Sequence, residues 1–237
     1  MRIALIGYGK MGHVIEQLAL AAGDSIVARI DKDQSLVHST QELQAAEVAI
    51  EFTAPSEAVA NIRTCIELQI PVVCGTTGWY AALPELEALV KNTPKAALFY
   101  APNFSIGVNI LMRATELLAS YRARFPQYAV AIEETHHTAK LDAPSGTAIA
   151  MAQPFLHGEN AYPDWALTPT NNTAVLPITA HRRDSVPGIH TLTLDSAHDT
   201  ISLQHSAKNR EGFAAGALAA ARFLLGKTGV YTMKDLL

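Results

Sequence analysis

The chain has 237 residues, 49% of them apolar and 17% charged, with a formal net charge of −4. That is the composition of a globular protein with a sizeable core, in one large or two modest domains, and it excludes intrinsic disorder. There is no Lys/Arg run and no apolar stretch near the roughly 20 residues of a spanning helix, so neither nucleic acid nor a membrane is an expected partner. The opening Met-Arg-Ile-Ala-Leu-Ile-Gly breaks too soon for a signal peptide. Cys65 and Cys74 make no disulfide framework; both lie in apolar surroundings and read as buried and inert. The expectation is a cytoplasmic protein.

The first hundred residues alternate between strand and helix. Arg2 to Ile6 is a short apolar run of the buried parallel-strand type. It enters Gly7-Tyr8-Gly9-Lys10-Met11-Gly12, a G-x-G-x-x-G that opens a helix with Met11, Val14, Ile15, Leu18 and Ala22 on one face. Ser25 to Ile30 is the next strand, and Asp31 follows it, 19 residues beyond Gly12. This is the dinucleotide-binding arrangement. Gly7 makes the turn, Gly9 lets the backbone approach a pyrophosphate, Gly12 packs helix on strand, and Asp31 meets the ribose 2′-hydroxyl. An acid at that point favours NADH, whereas the neighbouring Lys32 would accommodate the extra phosphate of NADPH, so either cofactor is open.

Further strand–helix units run from 47 to 52, 56 to 68, 71 to 74, 83 to 91 and 96 to 100. Their strands end in Glu51-Phe-Thr53, Gly75-Thr76-Thr77-Gly78 and Ala101-Pro102-Asn103-Phe104-Ser105. Ligands of an open parallel sheet lie outside the carboxyl ends of its strands, so these ends are expected contacts. Together these elements predict a Rossmann-type, doubly wound parallel sheet domain over residues 1–105.

The second half changes character. A helix from 106 to 121 and a strand from 127 to 134 lead to Glu134-Thr-His136-His137-Thr-Ala-Lys140-Leu-Asp142-Ala-Pro144-Ser145-Gly146-Thr147. Pro144 suits a first helical turn, and Asp142 and Ser145 are capping types. The amides of Ser145, Gly146 and Thr147 would then bind an anion at the positive end of a helix running to 155. Lys140 stands beside them as a cation, with His136 and His137 as proton carriers near neutrality. No third ligand lies at a usual spacing from the histidine pair, so no metal is expected. Cation, anion-binding amides and imidazoles point to an enzyme that holds a carboxylate-bearing substrate and moves a proton on it.

Residues 157–172, rich in Pro and Asn, read as a loop. Strands over 174–180, 189–195 and 200–205 alternate apolar and polar residues, the last two as a hairpin. They predict a second, α+β domain with a largely antiparallel sheet over residues 106–208, for substrate binding and oligomerisation. A final helix, about 211 to 225, with Phe213, Ala217, Ala220 and Leu224 on one face, is expected to return residues 209–237 to the first domain.

The glycine fingerprint, Gly75-Thr-Thr-Gly78, Ala101-Pro-Asn-Phe-Ser-Ile-Gly-Val-Asn109 and Glu134-x-His-His-x-x-Lys-x-Asp-Ala-Pro-Ser-Gly-Thr147 follow in that order. The set resembles the 4-hydroxy-tetrahydrodipicolinate reductase (dihydrodipicolinate reductase) family of bacterial lysine and diaminopimelate synthesis, in a short form. The likeness continues through Arg182, Gly188, His190, Arg210, Phe213 and Gly216. It implies NAD(P)H-dependent reduction, with loss of water, of a cyclic dicarboxylate, by a homotetramer. By position it implies His136 and Lys140 as catalytic, and His137, Gly146 and Thr147 at the substrate. Gly7 to Gly12, Asp31, Lys32, Gly75 to Thr77 and Ala101 to Phe104 are implied at the cofactor. Another dehydrogenase with the same cofactor domain, or a nucleotide sensor, leaves the His-His-x-x-Lys motif without a task.

Overall fold

The computed structural model describes residues 1–31, 40–209 and 211–237. Its first elements are β1 (Arg2–Ile6), α1 (Lys10–Ala21), β2 (Ser25–Ile30), α2 (Thr40–Gln44), β3 (Val48–Glu51), α3 (Pro55–Glu67), β4 (Val72–Cys74), α4 (Leu83–Asn92) and β5 (Ala97–Tyr100). Then come α5 (Ile106–Arg124), β6 (Ala129–His136), α6 (Gly146–Ala152), β7 (Trp165–Leu167), β8 (Leu176–Arg182), β9 (Ile189–Asp195) and β10 (Thr200–Ser206). The chain closes with α7 (Glu211–Leu224), β11 (Gly229–Tyr231) and α8 (Met233–Leu236). Contacts divide it into two compact units, Met1–Ile106 with Glu211–Leu237, and Gly107–Arg210.

The first unit is a six-stranded sheet in the order β11-β5-β4-β3-β1-β2, with every pairing parallel. Successive strand residues face opposite ways, so a continuous apolar run feeds two cores at once. Ile3, Leu5, Val48, Ile50, Val73 and Phe99 bury one face against α1 and α7. Ala4, Ile6, Ala49, Val72, Cys74 and Leu98 bury the other, with Ile62 and Ile66 of α3 and Leu86 of α4. Each fully buried Leu, Ile or Phe contributes roughly 1.5–3 kcal/mol. On α1 the expected face holds for Ile15, which is buried, and for Met11, Val14 and Leu18, which pack on the same cluster. Ala22 instead falls past the last helical residue and is exposed, and Ala19 takes its place. Gly216 lets α7 lie close to the segment after β5: a Cβ there would fall on the Phe104 carbonyl. Strand β11, three residues long and opened by a glycine, gives no sequence signal of its own.

The second unit is a mixed five-stranded sheet, β10-β9-β6-β8-β7. Its two longest ladders, β6–β9 and β9–β10, are antiparallel with seven paired residues each. β8 runs parallel to both β6 and β7, and the chain passes from β6 to β8 through α6 and β7 rather than through a hairpin. Helices α5 and α6 cover one face, burying Val130, Ile132, Leu176, Ile178, Leu192 and Leu194. Strand β7 lies inside the stretch read as a loop. It is three residues flanked by Pro163 and Pro169, and only its pairing with β8 makes it a strand.

Candidate active site

In the first unit a cavity of about 550 Å³ opens at the carboxyl ends of β1, β2 and β3, lined by Gly7, Gly9, Asp31, Phe52, Thr53 and Asn61 among others. Gly7 has φ +90°, and a Cβ there would strike the Phe52 carbonyl. Gly12 is needed for contact, since its Cβ would lie 2.6 Å from the Gly7 carbonyl. At Gly9 a Cβ would meet nothing within 4 Å: the space beside it is open. Gly9 also caps α1 without a side-chain hydrogen bond, and no acid stands in the first turn. Orphan amides, open space and Asp31 at the cavity wall fit a dinucleotide.

The other expected cofactor residues are placed variously. Lys10 is exposed and Met11 packs on the core, while Tyr8 stacks on His13 at 4.2 Å and donates to Glu16. A Cβ on Gly75 would fall on the Phe52 ring. The buried Thr76 accepts the Thr53 amide at 2.8 Å, and Thr77 is exposed. Ala101 and Phe104 are core residues, Pro102 is exposed, and Asn103 caps the Ser105 amide at 2.8 Å. Lys32 lies outside the described residues. Glu51, expected with Phe52 and Thr53 at a ligand-facing strand end, is instead fully buried at the end of β3. It accepts the Thr53 amide at 3.1 Å and the Cys74 thiol at 2.9 Å. Cys74 is therefore buried as expected but in polar company. Burial pushes the Cys65 thiol up to about 12 and, with Glu51, pushes Cys74 up as well, so both stay protonated.

In the second unit the covered face of the sheet changes from apolar to polar along its length. Ile132 is level with Ile178 and Leu192, and Leu192 with Leu203. Two residues further on, Glu134 is level with Ala180 and His190, and His190 with His205. One step beyond, at the end of β6, His136 is level with Arg182. Strand alternation thus aims charged and imidazole side chains from β6, β8 and β9 into one place.

Glu134, 1% exposed, is the hub. Its carboxylate accepts the Ser145 amide at 3.0 and 3.1 Å and the Arg182 guanidinium at 3.4 Å. His136 Nδ1 stands 3.5 Å from it and His190 Nε2 3.8 Å. The Ser145 hydroxyl accepts from Ala148 N–H, capping α6, and lies 3.2 Å from His190 Nε2. Arg182 also donates to the carbonyls of Asp142 at 2.6 Å and Lys140 at 3.3 Å, fastening the loop in which Lys140 Nζ pairs with Asp142 at 2.8 Å. Gly188 leaves room for the imidazole: a Cβ there would lie 3.2 Å from His136 Nε2.

Three expectations change here. His136 does not sit at the ordinary histidine value. Burial lowers its pKa, Glu134 pulls it up, and Lys140 and Arg182 pull it down again. Pro144 precedes the helix cap instead of entering its first turn, because Ser145 is the N-cap. The Ser145 amide is spent on Glu134 and is not among the donors left for an anion. Gly146 is exposed and Thr147 half-buried at the start of α6, and His137 is half-buried just past β6. Sequence spacing also offers no third metal ligand, whereas the fold sets atoms of Glu134, His136 and His190 within 4.8 Å of one another. The Glu134 oxygens are already engaged by Ser145 and Arg182, which opposes a cation there.

Glu134 and His190 had no assigned role in the sequence, although both carry a signal. Each is a polar residue at a core-facing parity, in Val130-x-Ile132-x-Glu134-x-His136 and His190-x-Leu192-x-Leu194.

Comparison with known proteins bears on both units. Residues 1–104 match the family model for the N-terminus of dihydrodipicolinate reductase, and residues 107–237 match that for its C-terminus. The chain is 43% identical over 237 residues to a 4-hydroxy-tetrahydrodipicolinate reductase of Christiangramia forsetii, covering 100% of this chain and 98% of that one. It is 30% identical to the enzyme of the same name from Thiobacillus denitrificans, with 100% and 98% covered. The fold matches that of a dipicolinate-bound dihydrodipicolinate reductase from Paenisporosarcina sp. TG-14, with a TM-score of 0.83, 22% identity, and 100% and 99% covered. Two family models that together span both units, and relatives aligned from end to end, agree: the chain belongs to the dihydrodipicolinate reductase family.

Proposed function

We propose that the chain reduces 4-hydroxy-tetrahydrodipicolinate to tetrahydrodipicolinate, with loss of water, at the expense of NADH or NADPH, in diaminopimelate and lysine synthesis. The observation that carries this reading is the buried Glu134–His136–His190 cluster with Arg182 and Lys140 at one end of the mixed sheet. A planar dicarboxylate needs cations and amide donors, and the electron-rich product of hydride addition needs a proton. Both needs are met at that end.

When bound, the reduced nicotinamide supplies the hydride. Lys140, held by Asp142, offers positive charge and a proton to the developing anion. His136 donates or relays a proton, general-acid help typically worth ~10²–10⁴-fold in rate. Glu134 faces Nδ1 at 3.5 Å, an electrostatic contact without a hydrogen bond, and Nε2 serves as the working nitrogen. Gly146 and Thr147 hold a carboxylate, and His137 supports the substrate beside them. Gly7, Gly9 and Gly12 cradle the pyrophosphate, while Asp31 binds the ribose 2′-hydroxyl and favours NADH. Lys32 bears on NADPH. Thr53 and Asn61 join them on the nucleotide side.

The test is oxidation of NADH and NADPH with substrate made in situ from pyruvate and aspartate semialdehyde by the preceding synthase. Substrate-dependent oxidation is expected, and the ratio of the two rates reads the cofactor preference. Cofactor binding without oxidation would refute the reading. We further infer a cytoplasmic homotetramer assembled through the second unit, where Ile110 and Leu117 of α5 and Ile201 of β10 are exposed. Sedimentation at a tetramer mass is the expected result.

A further inference from the structure

Near the nucleotide cavity stands a cation with no part in the chemistry above. Arg29 of β2 is level with Leu5 of β1, on the sheet face that α1 covers. Two residues on, at the same strand parity, comes Asp31 at the cavity wall. Two strand residues span roughly 6.5 Å, so an arginine side chain swung forward from position 29 brings its guanidinium beside Asp31. A guanidinium there would suit a ribose 2′-phosphate, which it can grip through two hydrogen bonds at once.

The fold holds Arg29 elsewhere. Its Nε donates to Glu16 Oε1 of α1 at 2.9 Å, and a terminal guanidinium nitrogen donates to the same oxygen. The other Glu16 oxygen accepts the Tyr8 hydroxyl. The guanidinium carbon lies 5.9 Å from the centre of the Tyr8 ring, and that ring stacks on His13, whose Nδ1 is 2.8 Å from the Gly9 carbonyl. Hydrogen bonds from Arg29 and then Tyr8 hold the Glu16 carboxyl below its usual range, so it is ionised at neutral pH. The Glu16 side chain is 13% exposed and that of Arg29 44%. The carboxylate is thus the fixed partner, and the guanidinium is the one with room to leave. A lone exposed ion pair holds little; here a phenol and an aromatic face are added to it.

We propose that Glu16 is a specificity-determining residue, which ties Arg29 to α1 and so withholds a cation from the 2′ position of the adenosine ribose. This rests on the reading of the cavity as the cofactor site with Asp31 at that ribose. Asp31 disfavours a 2′-phosphate by direct repulsion. Glu16 acts at one remove, by engaging the charge that would offset this repulsion. Tyr8 stands between Gly7 and Gly9, so the residue that completes the latch also belongs to the loop expected at the pyrophosphate. Cofactor choice is then set from α1 as well as from the end of β2.

The test is fluorescence titration of NADH and NADPH, without substrate, into wild type, Glu16→Ala, Arg29→Gln and the double variant. In Glu16→Ala the freed guanidinium should improve NADPH affinity relative to NADH on the order of tenfold, the worth of one hydrogen bond to a charged group. The gain should shrink as salt is added, since an exposed pair is screened. Adenosine 2′,5′-bisphosphate should raise the melting temperature of Glu16→Ala more than that of the wild type. Arg29→Gln and the double variant should both keep the wild-type ratio. A loosened glycine loop would weaken both cofactors together and leave the ratio where it was. An unmoved ratio in Glu16→Ala therefore overturns the inference, and so does a gain that persists once Arg29 is also replaced. Weaker relative NADPH binding in Arg29→Gln alone overturns it too, because the latched side chain should not touch that phosphate. If Glu16→Ala melts early, Glu16→Gln, which keeps the shape without the charge, is read the same way below both melting points. Failure of either cofactor to bind the wild type would sink the cofactor reading along with the latch, whereas binding of both with an unmoved ratio sinks the latch alone.

Discussion

Acidification should unfold this protein through His190. The ring is 5% exposed, and burial, the largest influence on it, holds its pKa at about 4 against an ordinary 6.5. Between those values the unfolded chain binds a proton that the native chain does not. Stability from this group is therefore complete above about pH 6.5 and is lost as the pH falls toward 4. Integrating between the two pKa values gives a loss of about 2 kcal/mol from pH 7 to pH 5. For a chain of this size that corresponds to roughly 4–8 °C in melting temperature. His136 and His205 are shifted in the same direction, so the wild-type slope includes their share too. His190→Gln removes the titration and keeps an amide within reach of the Ser145 hydroxyl. Urea unfolding of both proteins at the two pH values is the assay, and the variant should lose about 2 kcal/mol less than the wild type on acidification. Identical pH slopes would refute the assignment of a buried, neutral His190.

Three further outcomes follow from the same geometry. Glu134→Gln leaves the shape of the hub but removes the charge facing His136 and Arg182; turnover should fall ~10²–10⁴-fold with NADH affinity retained, as steady-state kinetics and fluorescence titration would record. Gly9→Ala adds a methyl group where the protein leaves open space, so the melting temperature should hold while the NADH dissociation constant rises by about tenfold or more, the sign of an occupied cradle. Gly188→Ala places its methyl 3.2 Å from His136 Nε2; turnover should drop with NADH binding unchanged, and an unaffected rate would mean that this nitrogen is not the working one.

The sequence was most legible where one rule acts on neighbouring residues. The apolar run of Arg2 to Ile6, the glycines at 7, 9 and 12, and Asp31 lie close together, and backbone sterics with helix geometry suffice to place them. It was least legible where a short segment depends on distant pairing. β7 and β11 have three residues each and are strands only because β8 and β5 lie beside them. The site divides along the same line. His136 and Lys140 fall within one motif, whereas His190 and Arg182 reach Glu134 from strands some fifty residues downstream, through cross-strand register. Ser145 shows a different limit: its residue type announces a cap, but its amide is taken by a carboxylate eleven residues earlier, which no local rule foresees.

The first unit is made of two separate stretches of sequence, and that governs when it can be completed on the ribosome. Ala214, Ala217, Leu218, Ala220, Ala221 and Leu224 of α7 share one core with Ile3, Leu5 and Phe99. A nascent chain that has emerged only as far as residue 210 holds five of the six parallel strands and nearly all of the nucleotide motif. It lacks one of the two helices that cover one face and the strand that extends the edge. The part of that face not covered by α1 stays wet and adhesive until segment 211–237 arrives, while the second unit is contiguous and can close earlier. Completion order therefore runs opposite to sequence order: the half encoded first is the half finished last, and any early stop in the final helix would release a chain with one sheet face covered by α1 alone.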